Sequence, residues 1–279
     1  LQILALSLKI LCLMILVVRS LSLFLIFLLT ACTNETVKNI TGTIYGTTYS
    51  VKYTEKLDPN DIQDQITMEL NRLDLIFSTY KPDTEIQRYN ANPSMDGWSR
   101  DFENVYNLAF IIAAQSKGAF NPVSEEGLDY SGIAKGYAVD KVAELLEKNN
   151  IANYFVEIGG EISAKGSKYS QAWVFGVEMP SEGENGAYMA FEVPENGISV
   201  ATSGEYREPG HIWGDGPRDI VSVTVADEDT ASADAWATAM YVAGVEEGMT
   251  MAEANDLAVF FILPDGSSKQ SSNWGKIFP

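Results

Sequence analysis

Asp234 and Thr238 lie four residues apart in the segment Ala231 to Met240, ASADAWATAM. On a helix that spacing puts a carboxylate and a hydroxyl on one face, where both can hold a single hard cation. An Asp near a helix start is also favourable through the helix dipole alone, so both readings stand. In Gly132 to Tyr137, GIAKGY, Lys135 sits between small residues at a helix start, where free amides and the dipole attract an anion such as a diphosphate. Turn formation and packing account for such glycines equally well. Gly159 and Gly160, inside Asn153 to Gly166, NYFVEIGGEISAKG, allow either close approach of a ligand to the backbone or a tight hairpin. The sole His, His211, lies in the Gly- and Pro-rich loop Pro209 to Pro217. Loop placement argues against a packed core histidine, and an imidazole titrating near neutrality suits proton transfer.

The elements that must position these groups are legible from periodicity. Gly42 to Tyr53 has the β-branched and aromatic content of a strand, bent near Gly46. Ile62, Ile66, Leu70, Leu73 and Phe77 recur at helical spacing, so Asp61 to Phe77 is expected as an amphipathic helix. Further helices are expected at Phe102 to Lys117, Ala134 to Lys148, Ala233 to Val242 and Val245 to Asn255. Strands are expected at Asn153 to Ile158, Ile162 to Lys165, Trp173 to Glu178, Ala187 to Val193, Gly197 to Thr202, Ile220 to Val225 and Ala258 to Leu263. Helices and antiparallel-looking strands in separate blocks point to an α+β fold rather than a βαβ alternation.

Composition narrows the chemistry. The 279 residues carry 38 acidic and 19 basic side chains, a formal charge of −19, with 46% apolar residues. So acidic a protein has no basic face for nucleic acid and does not adsorb to anionic lipid, so an anionic ligand requires local positive charge. From Leu1 to Leu29 the chain is dominated by Leu, Ile, Val and Phe, broken by the cations Lys9 and Arg19 and by no acid. It ends in Leu29-Thr30-Ala31-Cys32, the pattern of a bacterial lipoprotein signal in which the Cys becomes the lipidated first residue. An uncleaved membrane anchor is the alternative, and both readings put the domain outside the cytoplasm. The expected organisation is signal peptide at 1–31, lipidated Cys32 with a tether to 40, and one domain from 41 to 279. Processing removes Cys12 and leaves Cys32 acylated. No disulfide, Cys-based metal site or multi-His site then exists, and a metal must be held by oxygen, which points to Mg²⁺ or Ca²⁺.

Nine segments in order resemble the FAD:protein FMN transferase family of ApbE-type flavin transferases. They are GTTYSVKY from Gly46, FSTYKPDTEIQRYN from Phe77, GAFNP from Gly118, SGIAKGYAVD from Ser131, NYFVEIGGEISAKG from Asn153, ISVATSGEYR from Ile198, HI at His211, SVTV from Ser222 and ADAWATAM from Ala233. The resemblance implies a single T-fold-related α+β domain with a largely antiparallel sheet. It implies binding of FAD with Mg²⁺ at the diphosphate, and transfer of FMN to a Thr or Ser hydroxyl of an extracytoplasmic partner protein with release of AMP. It implies metal ligation by the Ala134 carbonyl, the Asp234 carboxylate and the Thr238 hydroxyl. Tyr45, Tyr80, Ala119, Phe120, Asn121, Ser131 and Ile212 match family positions that line FAD. Lys135 is beside the metal carbonyl, and His211 is the implied base for the acceptor hydroxyl. Only Val123 to Tyr130 remain of a longer family segment, 213–219 is shortened, Asn121 replaces an Asp, and Trp213 replaces an Ile. These departures leave a second expectation, an FAD-binding lipoprotein without transfer activity. Hydrolysis of FAD to FMN and AMP, which some relatives carry out, is a third.

Overall fold

Ile62, Ile66, Leu70, Leu73 and Phe77 are all buried along helix α1, Pro59–Phe77, as their spacing requires. The computed structural model describes residues 36–54, 59–93, 96–178, 186–206 and 209–279, all within the unit Thr36–Pro279. The leader 1–31 and Cys32 lie outside the described residues.

Two helices follow in the same layer. The short α2, Glu85–Ala91, is capped by Thr84, and at seven residues it is too short for periodicity to reveal. α3, Arg100–Gln115, begins where the Ser99 hydroxyl accepts the Phe102 amide, and Phe102, Val105, Ala109 and Ile112 form its inner face. It stops at Gly118, whose φ of 87° lets its amide reach back to the Ala113 carbonyl. α4, Ala134–Lys148, buries Ala138, Val142 and Leu146, and Asn150 in the left-handed region ends it. α5, Thr230–Ala254, breaks at Gly244 (φ 75°), so the two expected helices are two arms of one element. A small C-terminal helix α6, Ser272–Ile277, was not legible in the pattern.

The strands in chain order are β1 Lys38–Ile44, β2 Thr47–Tyr53, the two-residue pair β3 Val123–Ser124 and β4 Gly127–Leu128, then β5 Tyr154–Ile158 and β6 Glu161–Lys165. After them come the short β7 Ser167–Lys168 and β8 Gln171–Ala172, β9 Val174–Glu178, β10 Ala187–Glu192, β11 Ile198–Gly204, β12 Ser222–Asp227, β13 Ala258–Ile262 and β14 Ser268–Gln270. Eight of them form one sheet in the order β1-β2-β5-β6-β11-β12-β13-β14. Every pairing in it is antiparallel, as the α+β reading expects. Gly42 to Tyr53 is a hairpin rather than one bent strand. Tyr45 and Gly46 both take positive φ (53° and 75°), the two-residue turn that matches strand twist and reverses the chain.

Strand alternation feeds two cores. Val223, Val225, Val259 and Phe261 face the helices, while Phe155, Ala226, Phe260 and Ile262 face the opposite side. There the β9–β10 hairpin and α6 cover the sheet, with the Trp274 ring 5.4 Å from Phe260 and 5.2 Å from Phe191. The register brings the β1–β2 turn, the β5–β6 turn and the end of β11 to one end of the sheet, because Tyr49 opposes Ile158, Ile158 opposes Glu161, and Val200 opposes Ile162. Trp274→Ala removes the fully buried ring that clamps this second core. It should cost about 3–5 kcal/mol, read as a lower urea midpoint.

Candidate functional site

The site is built where α4 crosses α5. Gly136 leaves no room for a side chain: a Cβ there would stand 2.3 Å from the Thr230 carbonyl oxygen and 2.8 Å from the Asp234 Cβ. That closeness lets the Gly136 amide donate to Asp234 Oδ2 at 3.0 Å. One turn away, a Cβ on Gly132 would stand 2.9 Å from Thr238 Oγ1. The glycines of GIAKG are packing residues, and what they pack against is the Asp234/Thr238 pair. The start of α5 is held by other groups: Asp229 accepts the Ser232 amide, and Asp140 accepts the amides of Thr230 and Ala231 at 2.7 and 2.9 Å. Burial pushes the Asp140 carboxyl up to about 7 against the pull of those donors. Because α5 begins at Thr230, Asp234 lies in its second turn and is not needed for the dipole.

Gly132, Lys135, Asp234 and Thr238 form the floor of a cleft of about 340 Å³ at the end of the sheet. Its charge is unbalanced. Lys135 Nζ donates to Glu161 Oε1 at 2.5 Å, and Asp234, 3% exposed, is the second carboxylate beside the same ammonium. Burial opposes the Lys135 charge, but Asp234 and Glu161 outweigh it and hold Lys135 above the ordinary lysine range. Burial pushes Asp234 upward; Lys135 opposes that rise and Glu161 adds to it. Glu161 Oε2 is buried and has no hydrogen-bond partner. Thr238 Oγ1 lies 3.5 Å from Ser203 Oγ on β11.

At the rim, the loop bearing His211 is tied down by a pair of charges. Arg218 Nη2 donates to the carbonyls of Ile212 at 2.7 Å and Gly214 at 3.2 Å, and Arg218 Nη1 pairs with Glu205 Oε1 at 3.0 Å. The same Glu205 oxygen accepts the Ile212 amide at 3.2 Å, and the Arg218 guanidinium lies 5.5 Å from the Tyr241 ring centroid. Opposite, the Tyr45 phenol donates to the Leu70 carbonyl at 3.1 Å. Burial, with Asp74 and Glu69 nearby, holds that phenol above its usual range.

A family model described as the ApbE family matches residues 45–126 and 123–261, which include every wall of this cleft. The chain belongs to the ApbE family. A curated relative from Vibrio cholerae serotype O1, "FAD:protein FMN transferase", is 29% identical over 86% of this chain and 92% of its own length. One of the same name from Haemophilus influenzae is 29% identical over 89% of this chain and 94% of its own. Among solved structures, the flavin transferase ApbE from Vibrio cholerae superposes with a TM-score of 0.79 at 28% identity, covering 88% of this chain and all of that one. The apo flavinyl transferase ApbE of Pseudomonas stutzeri superposes with a TM-score of 0.78 at 25% identity, covering 88% and 98%.

Within this ApbE-family cleft, Tyr45, Ala119, Phe120, Asn121, Ser131, Lys135, His211, Ile212, Asp234 and Thr238 all meet. Tyr80 does not. Its amide and that of Lys81 turn back onto the Ser78 hydroxyl, and the ring is left 92% exposed, away from the lining. Ala134 is the first residue of α4, next to Lys135 but not itself in the lining. Gly159 and Gly160 form the β5–β6 turn, as the hairpin reading expects, and Gly159 lines the cleft. The shortened segment 123–130 folds as the β3–β4 hairpin, braced by Asn90 on both the amide and the carbonyl of Leu128, and Asp129 below it still forms cleft wall. Sequence reasoning missed Glu161, Glu205 and Arg218. For Glu161 a signal existed: alternation along β6 sets it and Ser163 opposite the apolar Ile162 and Ala164. Gly136→Ala should wedge α4 from α5 and cost about 1–3 kcal/mol, measured as a lower denaturation midpoint.

Proposed function

We propose that this chain is an FAD:protein FMN transferase: it binds FAD in the cleft with Mg²⁺ at the diphosphate and moves FMN onto a Thr or Ser hydroxyl of a partner protein, releasing AMP. The observation that carries this reading is a polar, cation-deficient floor of Lys135, Asp234, Glu161 and Thr238 that shares one cleft with the sole imidazole. Among the described residues, no group of three or more His, Cys, Asp or Glu is placed to hold a metal. On the family resemblance, a cation here draws on Asp234, the Thr238 hydroxyl and the Ala134 carbonyl, an oxygen set suited to Mg²⁺. The buried Asp234 and the orphaned Glu161 oxygen fit such an ion. When bound, Mg²⁺ supplies neutralisation of charge on the diphosphate oxygens.

The chain's own groups do the rest. Lys135 holds positive charge at the head of α4, where a phosphate oxygen approaches. The acceptor oxygen bonds to the phosphorus of the FMN half as the bond from that phosphorus to the AMP oxygen breaks, and AMP leaves with the electron pair. His211 takes the acceptor proton, and the Glu205–Arg218 tie fixes the loop from which it does so. Trp213, at the same rim and 43% exposed, offers apolar surface to the incoming segment.

We further propose that Cys32 is lipidated and tethers the domain to the outer side of a membrane. Two tests follow. With the whole protein in detergent, FAD, Mg²⁺ and an acceptor protein, the expected products are AMP and an acceptor heavier by one FMN in mass spectrometry. His211→Ala should lower transfer at least 100-fold with FAD affinity kept, and Asp234→Ala should abolish the Mg²⁺-dependent activity. AMP with free FMN would instead mark a hydrolase, and FAD binding without AMP a flavin-binding protein. Cys32→Ser should abolish labelling with radioactive palmitate and leave the leader uncleaved, read as a heavier chain in mass spectrometry, whereas an uncleaved anchor predicts no change in mass beyond the substitution.

A further inference from the structure

Glu161 shares the cleft floor with the cation ligands but is not itself among them. It is the first residue of β6, 2% exposed, it lines the cleft, and its two carboxylate oxygens are treated differently: Oε1 takes the Lys135 ammonium at 2.5 Å, while Oε2 is buried without a hydrogen-bond partner. The glycine turn puts no side chain of its own against that oxygen: a Cβ on Gly159 would stand 3.5 Å from Oε2 and 2.9 Å from the Thr47 methyl. A carboxylate oxygen buried without a donor is among the more unfavourable arrangements a fold can hold. Lys135 cannot neutralise both Glu161 and Asp234, so the buried set is short of one positive charge.

We propose that Glu161 Oε2 is a further contact of the divalent cation, made directly or through one of the ion's waters, so that Lys135, Glu161 and Asp234 form one charge set completed by the ion. This deepens the transferase reading and rests on its assignment of Asp234 and Thr238 to the cation. Mg²⁺ keeps several waters in most sites, which suits a carboxylate placed across the cleft from α5. The Lys135 bridge then orients the Glu161 carboxylate, leaving Oε2 directed at the ion.

The test is Mn²⁺ binding to the whole protein without FAD, followed by loss of the free Mn²⁺ EPR signal, for the natural chain, Glu161→Gln, Glu161→Asp and Asp234→Asn. Thermal melts in EDTA accompany each titration. Gln keeps the shape of Glu161 and an acceptor for Lys135 but removes the charge. The expected result is at least tenfold weaker Mn²⁺ binding in Glu161→Gln, partial recovery in Glu161→Asp, and a Glu161→Gln melt in EDTA equal to or above that of the natural chain. Binding unchanged in Glu161→Gln but lost in Asp234→Asn overturns the role of Glu161 and leaves the transferase reading standing. Weaker binding together with a lower melt in EDTA overturns it in favour of a purely structural Glu161. No Mn²⁺ binding by the natural chain, or equal binding by Asp234→Asn, overturns the cation assignment itself.

Discussion

The approach of α4 to α5 through Gly136 is the constraint on which the site depends. At that crossing the backbone amide of one helix satisfies a carboxylate on the other, and only a residue without a side chain permits it. A buried Asp is tolerable when donors and charge meet it, and here the Gly136 amide and Lys135 do so. Asp140 on α4 then caps the first turn of α5, so the two helices are locked at the crossing and again at the start of α5. Thr238 follows one turn along, opposite the second packing glycine, Gly132.

The sheet supplies the other walls by register alone. Antiparallel pairing carries the β1–β2 turn, the β5–β6 turn and the end of β11 to the same end, so residues more than a hundred positions apart face one space. Both faces of the sheet are buried, helices on one side and the β9–β10 hairpin with α6 on the other, which fixes the strands against slippage. Glu205 and Arg218 extend that rigidity to the rim, because they hold the His211 loop by its backbone carbonyls and an amide rather than by side-chain packing.

The electrostatics join the two halves. A chain with a formal charge of −19 binds an anion only where positive charge is concentrated. Lys135 supplies part of it, and the adjacent carboxylates make the site attractive to a divalent cation. In the proposed reading, acidity, which elsewhere repels phosphate, would at this place recruit the ion that holds it.

The sequence alone determined the long elements and the chemical inventory. Apolar residues at three- and four-residue spacing commit α1, α3 and α4 to helices whatever lies around them, and a sole His with Asp234 and Thr238 four apart limits the chemistry. What it left open were choices between local readings of the same residues: whether the GIAKG glycines bind or pack, whether Asp234 caps or waits for a ligand, and whether Gly159-Gly160 turns or approaches. Tertiary structure decided that the GIAKG glycines pack and that Asp234 is not a helix cap, since both depend on contacts between segments distant in the chain, Gly136 with Asp234 and Gly132 with Thr238; it made Gly159-Gly160 the β5–β6 turn. It also turned Tyr80 outward through a local hydroxyl turn and brought Glu161 on the sheet to Lys135 on α4. Short helices and the Glu205–Arg218 tie were equally out of reach, because one or two turns carry no period and an ion pair leaves no mark on local composition.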